Sequence, residues 1–394
     1  MGVYELEWLA LIMRWLHVII AAVWIGTSFY IFSWENKFNK SFLRKEIEGN
    51  FWTIQGGDFY YVEKHKQAPE TLPDELHWFK YEAYLTWVSG FILLSILYYS
   101  QPSNALIKPA MTGISTGAGI VISLVFLVFA WLLYNLYCKT RLVENLPLSA
   151  GLGILAVTLL GFLLSSIFTG RAAVLHIGAI MGTIMSANVF FIIIPWHKSL
   201  LHAIENKHPL DALYKSHPGV RSDHNHYMTL PVFFIMLSIH LPVVHSHPYS
   251  WVIVPVAVLA AGFAKHVHTK IQQGKSGVLP LVVSVSLFIS IVFFSKPGLV
   301  QLEECEATID ISQIYDTVSR RCTSCHSSTP SDPSFSNPPN GVVFDTPKQV
   351  ISLRSRILER SVTTQTMPPD NKTGMTPQER RQIRCWVNDK GVKN

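Results

Sequence analysis

Val278 to Pro297 reads VLPLVVSVSLFISIVFFSKP, an unbroken apolar run that ends abruptly in Ser295-Lys296-Pro297. A bilayer core about 30 Å thick takes roughly 20 apolar residues in helical form, and this run is close to that length. The chain differs in kind on its two sides. Upstream lie further apolar runs. Downstream it is polar, with Pro and Ser clustered from Ser327 to Pro339, a composition that no membrane span tolerates. Two units are expected: a transmembrane unit over 1–297 and a small polar domain over 298–394.

Working back from 278–295, apolar stretches recur at 251–266, 227–244, 172–195, 148–169, 113–137, 77–99 and 8–33. Eight spans follow, and the fold class expected is all-α: an eight-helix transmembrane bundle followed by a small polar domain. The stretch 227–244 is the weakest, because Pro231 and Pro242 interrupt it. The composition agrees, with 49% hydrophobic and 15% charged residues and a mean hydropathy of +0.27. The first run is too long for a cleaved signal peptide and has no basic segment before it, so it reads as a retained span.

Lys and Arg are distributed unequally over the loops. Loop 34–75 carries Lys37, Lys40, Arg44, Lys45, Lys64 and Lys66, and loop 138–147 carries Lys139 and Arg141. Loop 196–226 adds Lys198, Lys207, Lys215 and Arg221, and the 267–277 loop with its edge adds Lys265, Lys270 and Lys275. The opposite loops hold only Lys108 and Arg171 before the last span. The basic set is the cytoplasmic one, which places both termini on the outer side of a bacterial inner membrane. The net charge of +6 is then a topology signal, and no nucleic-acid partner is expected.

In the polar domain, Cys322-Thr323-Ser324-Cys325-His326 matches the attachment pattern for a covalent c-type haem. Two thiols form thioethers to the porphyrin, and the adjacent imidazole ligates the iron. A zinc ribbon needs a second ligand pair, and none follows. An outward-facing C-terminus also suits the outer-side attachment of c-type haem. Met367, in Thr366-Met367-Pro368-Pro369, is the expected second axial ligand, ahead of Met375 in Gly374-Met375-Thr376-Pro377. The iron ligands are then His326 and Met367. Helices are expected at 311–321 and 376–389, the layout of a class I cytochrome c. Cys305 and Cys385 form a disulfide or remain thiols, and Cys138 is isolated at a membrane edge.

Ionisable side chains inside a membrane unit mark function by default. Span one carries Arg14 and His17, span five His176 and span six His240; span two opens on His77, Lys80 and Glu82. Spans one, two, five and six are the expected functional core, with the other four as apolar scaffold. His17 and His176 are candidate ligands of a b-type haem iron between helices, His240 is a reserve, and Arg14 is a partner for a haem propionate or an anionic substrate. Interhelical hydrogen bonding is the plainer reading of each histidine.

A second polar set lies on the basic side: Gln55-Gly56-Gly57-Asp58-Phe59-Tyr60, His77-Trp78-Phe79-Lys80-Tyr81-Glu82 and Arg221-Ser222-Asp223-His224-Asn225-His226-Tyr227. It reads either as a site for a planar substrate or as interfacial anchoring by aromatic residues. As a site, it offers Lys80, Glu82, Arg221 and His224 as catalytic candidates.

These motifs have a family likeness. Arg14-Trp15-Leu16-His17, Trp24-Ile25-Gly26, Gly56-Gly57-Asp58-Phe59-Tyr60, His77 through Tyr84 and Trp87-Val88-Ser89-Gly90 resemble the membrane-bound, cytochrome-linked urate oxidase (urate hydroxylase) family. So do Gly170-Arg171-Ala172-Ala173, His176-Ile177-Gly178, Ala187 to Phe191 and Ser222 to Pro231. The resemblance extends through Cys322–His326 and Thr366–Gly374; Cys305 and Cys385 and the histidines of 197–247 depart from it. It implies oxidation of urate toward 5-hydroxyisourate, with electrons leaving through the c haem to a terminal oxidase or a soluble cytochrome c. A reading from another class is a non-catalytic membrane cytochrome subunit that relays electrons from quinol or a partner.

Overall fold

The computed structural model describes residues 3–35, 37–39, 44–66, 75–100, 106–108, 111, 113–209, 218–296, 305, 309–332 and 335–388. The expected boundary at 297/298 lies outside the described residues, as do Lys40 and Lys215 of the basic loops.

The chain is mostly helical. Helices α1 (Val3–Glu35), α2 (Tyr81–Tyr99), α3 (Thr116–Tyr137), α4 (Leu146–Ile167) and α5 (Gly170–Glu205) come first. They are followed by α6 (Gly219–Ser238), α7 (Ser250–Gln272) and α8 (Val278–Phe294). Among the described residues, six of these (α1 to α5 and α7) are long and apolar enough to cross a membrane. This is compatible with a multi-pass membrane protein. The other two expected spans exist as helices but fall short. α8 is only 17 residues long. α6 starts eight residues before the expected 227, so its first turns are polar. It runs through Pro231, ends at Ser238 and is followed by a separate turn at Pro242–His245.

Helix starts follow from short polar side chains. Ser115, Asn145 and Thr169 accept from the backbone N–H of Ala118, Leu148 and Ala172, closing the first turns of α3, α4 and α5. α5 and α7 are the most enclosed spans, and they form the centre of the bundle with Ile177, Ile180, Ile235, Ile253 and Ala257. Span seven, expected among the apolar scaffold helices, lies at the centre of the bundle. It continues past the apolar run to Gln272.

The all-α expectation has one exception. β1 (Ile47–Gln55) and β2 (Asp58–His65) form an antiparallel hairpin. Gly56 and Gly57 turn it at φ +62° and +96°, values that suit glycine. The polar run around Gly56-Gly57 is thus a hairpin tip, and Phe59 and Tyr60 on it are exposed.

In the polar domain, α9 (Ile311–Arg321), α10 (Pro347–Ser352) and α11 (Pro377–Asn388) enclose a separate core of Ile314, Val318, Val350, Met375, Ile383 and Trp386. Thr376 accepts from the Glu379 N–H while the Glu379 carboxylate accepts from the Thr376 N–H at 2.7 Å, so a capping box starts α11. Cys305 and Cys385 are disulfide-bonded, with Cα atoms 5.6 Å apart.

Candidate functional site

The end of α9 builds the first constellation. After Arg321 the chain turns tightly, and the N–H groups of Cys325 and His326 both donate to the Cys322 carbonyl. This turn sets two thiols and an imidazole side by side. Cys322 and Cys325 are not bridged. Burial pushes the Cys322 thiol up to about 12 and the Cys325 thiol upward, so both are held as protonated thiols. His326 Nδ1 faces the Val342 carbonyl at 3.1 Å. A carbonyl only accepts, so Nδ1 carries the proton and Nε2 presents its lone pair.

Cys322, Cys325, His326 and Met367 line one cavity of about 500 Å³, with Arg171 and His240 on its membrane-bundle side. Met375 is buried in the core of the polar domain and lines no part of it. Met367 is positioned from both directions: its N–H donates to the Arg360 carbonyl and its own carbonyl accepts from Arg380 Nη1 at 3.0 Å. Two adjacent free thiols, an imidazole with a free Nε2 and a thioether on one cavity wall are a donor set that fits a covalently held haem.

The b-type haem expected between His17 and His176 does not fit. His176 is fully buried; its Nδ1 donates to the Ala172 carbonyl at 2.6 Å, and its Nε2 accepts from Ser123 Oγ at 2.5 Å. Ser123 in turn accepts from the Tyr99 hydroxyl at 2.6 Å, and the imidazole stacks on Phe168. Both ring nitrogens are engaged in a knot that joins α2, α3 and α5. His17 contacts α2 elsewhere along its length, at Ser89 and Gly90 and not at Tyr99: its Nδ1 donates to Ser89 Oγ at 3.0 Å, and a Cβ added at Gly90 would lie 2.9 Å from its ring. The structure does not bring the two histidines together. His240 instead faces the Cys322–His326 cavity, with Arg14, Arg171 and His245 as its charged neighbours.

The four catalytic candidates fall into two groups. Arg221 donates to Asn188 Oδ1 at 3.0 Å and to Asn135 Oδ1 at 2.7 Å, and it lies over the Tyr134 ring. The Tyr134 hydroxyl meets His224 Nδ1 at 2.9 Å, and Asn188 Nδ2 donates to Asn225 Oδ1 at 2.9 Å. Arg221 and His224 thus tie α3, α5 and α6 together. Lys80 sits over the rings of Trp78 and Tyr81, and one Glu82 carboxylate oxygen is buried without a partner. Among the described residues no hydrogen bond or ion pair joins Lys80 or Glu82 to Arg221 or His224.

A third cluster escaped the sequence reading. Lys265 on α7 is fully buried, and its Nζ has no hydrogen-bond acceptor. It lies 3.1 Å from the centroid of the Phe29 ring. The His268 and His226 rings are 4.9 and 5.7 Å from the same ring, and Nδ1 of each is also buried without a partner. His226 stacks on Phe32 at 3.7 Å. The i, i+3 spacing of Lys265 and His268 was the available signal, but it falls across the point where the apolar run stops.

A family model described as urate oxidase N-terminal matches residues 3–296. The chain belongs to that family. Comparisons with curated proteins and with solved structures give no match. The urate oxidase N-terminal unit covers the whole helical bundle, so the buried polar clusters of α1, α5, α6 and α7 all lie within it, whereas the Cys322–His326 turn lies beyond it. Membership points to a urate-related oxidoreductase role.

Proposed function

We propose that this chain is a bacterial inner-membrane oxidoreductase that converts urate to 5-hydroxyisourate and delivers the electrons to a c-type haem on Cys322 and Cys325. The reading rests above all on one juxtaposition: a urate oxidase N-terminal unit over 3–296 whose cavity-lining Arg171 and His240 face Cys322, Cys325, His326 and Met367. Urate and water give 5-hydroxyisourate, two protons and two electrons. Bound there, a haem supplies one-electron transfer. His326 Nε2 and Met367 Sδ would hold its iron, and the core of α9, α10 and α11 would keep water from one side of the cavity. The basic loops face the cytoplasm, both termini lie in the periplasm, and the acceptor is a terminal oxidase or a soluble cytochrome c.

Membranes carrying the full chain test this. Urate should be consumed without stoichiometric hydrogen peroxide, and the double substitution Cys322→Ala/Cys325→Ala should stop consumption. Peroxide released in step with urate would show direct use of oxygen and overturn the reading.

A further inference from the structure

Asn188 and Asn135 accept from the Arg221 guanidinium, whereas three buried nitrogen groups on α6 and α7 are left without a hydrogen-bond partner. Lys265 Nζ, His226 Nδ1 and His268 Nδ1 are all buried without a partner. They surround the Phe29 ring, and among the described residues no salt bridge reaches Lys265. A buried amine without an acceptor is costly to keep in an apolar bundle, and a hydrophobic replacement of similar shape is usually at least as stable. Lysine at such a place is therefore explained by something it holds.

We propose that Lys265, His226 and His268 hold the substrate of this chain as a planar, singly charged purine; the proposal rests on the reading of the chain as a urate-oxidising enzyme. Charge comes first: one amine and two imidazoles converge with no carboxylate among them, so the ligand is an anion. Among the described residues no cluster of three metal-ligating side chains exists, and lysine is not a metal ligand, so a metal ion does not fit. Shape comes second. The surrounding walls are the rings of Phe29, Phe32 and His226. Phe32 already lies flat on His226, 3.7 Å away at 17°, the separation and tilt a stacked heterocycle adopts.

Placement is third. Lys265 is seven residues from the end of α7, about 10 Å along the helix, on the basic side of the bundle. Phe29 and Phe32 are one turn apart on α1, the least enclosed of the six spans, so the rings beside Lys265 and His226 sit on the most lightly packed of them. Urate fits in charge, planarity and acceptor count: its carbonyl oxygens and deprotonated nitrogen accept from Lys265 and the two imidazoles. Anionic phospholipid headgroups have the charge but not the flat shape that the Phe32–His226 stack matches.

The test uses full-length holoprotein, fully reduced with dithionite so that urate binds without being oxidised, and measures urate uptake by equilibrium dialysis. Wild type should bind, Lys265→Met should weaken binding at least tenfold, and Lys265→Arg should lose less. The double variant His226→Gln/His268→Gln is the second probe should Lys265→Met not fold, and it should also lose at least tenfold. An unchanged c-haem spectrum and melting profile checks the fold. Binding by Lys265→Met, or by the histidine double variant, equal to wild type overturns the pocket, as does failure of reduced wild type to bind urate. Whether urate still reduces the ferric protein judges the wider reading separately.

Discussion

His326 Nδ1 donates to the Val342 carbonyl at 3.1 Å, and this one hydrogen bond fixes both the tautomer and the direction of the imidazole. Nε2 is left facing the cavity that Met367 lines. In the proposed haem-bound protein, replacing His326 with Ala should leave the thioether bonds intact while converting the iron to a high-spin spectrum. An unchanged low-spin spectrum would mean that another residue is the ligand.

The two methionines make a sharper test. Met367→Ala should abolish the weak long-wavelength sulfur-to-iron band of the ferric protein and lower its reduction potential, with the haem still attached. Met375 fills the core between α9 and α11, so Met375→Ala should cost about 2–5 kcal/mol of domain stability and keep the band. Loss of the band in the second variant alone would reverse the assignment.

Glu379 links α9 to α11. Its carboxylate accepts from Arg321 Nε at 3.1 Å and from the Thr376 N–H at 2.7 Å. Burial alone would raise this carboxyl, but the Thr376 N–H and the Arg321 guanidinium outweigh it and hold it below the usual carboxylate range. A depressed carboxyl stabilises the fold above its unfolded-state value and loses that contribution as pH falls through the folded one. Glu379→Gln should therefore destabilise the polar domain by roughly 1–2 kcal/mol at neutral pH, with the gap closing in acid well below pH 4.5. Melting curves at several pH values would show it; a gap that persists in acid would contradict the assignment.

Reducing the Cys305–Cys385 bridge opens a link between residues 80 apart in sequence. The chain-entropy account gives such a link roughly 4 kcal/mol. Cys305→Ser/Cys385→Ser should lower the melting temperature of the polar domain and leave the haem spectrum unchanged. Equal melting temperatures for the variant and the wild type would remove the bridge from the stability argument.

His176→Ala should behave as the loss of a buried structural knot. It should lower the melting temperature of the bundle without altering the ratio of non-covalent to covalent haem, read by pyridine haemochrome analysis. A fall in non-covalent haem would restore His176 as a ligand.

What could be read from the sequence was what is encoded locally. Cys322, Cys325 and His326 stand out because they fall within five consecutive residues that one tight turn sets side by side, and Thr376-Pro377-Gln378-Glu379 announces its helix because a capping box spans four residues. The Phe59-Tyr60 segment is different: hairpin pairing depends on the cross-strand register of Ile54 with Phe59, which hydropathy does not report. His176 stands out as an ionisable side chain inside an apolar run, and that position cannot distinguish a ligand from a residue whose two nitrogens find Ala172 and Ser123. His224 and His226 lie two residues apart in one motif, yet one is bonded to Tyr134 and the other joins Lys265. Only the packing of α6 against α7 separates them. Lys265 itself was read as part of a basic loop, because an apolar run marks where hydrophobicity ends and not where the helix does.

The most direct test of the central claim is an anaerobic titration of the purified, oxidised full chain with urate, followed in the c-haem absorbance. Urate gives up two electrons and each haem accepts one. The account predicts that the haem band becomes fully reduced at about one urate for every two haems, with 5-hydroxyisourate as the product. A haem that stays oxidised in excess urate, yet is reduced at once by a quinol, would contradict it.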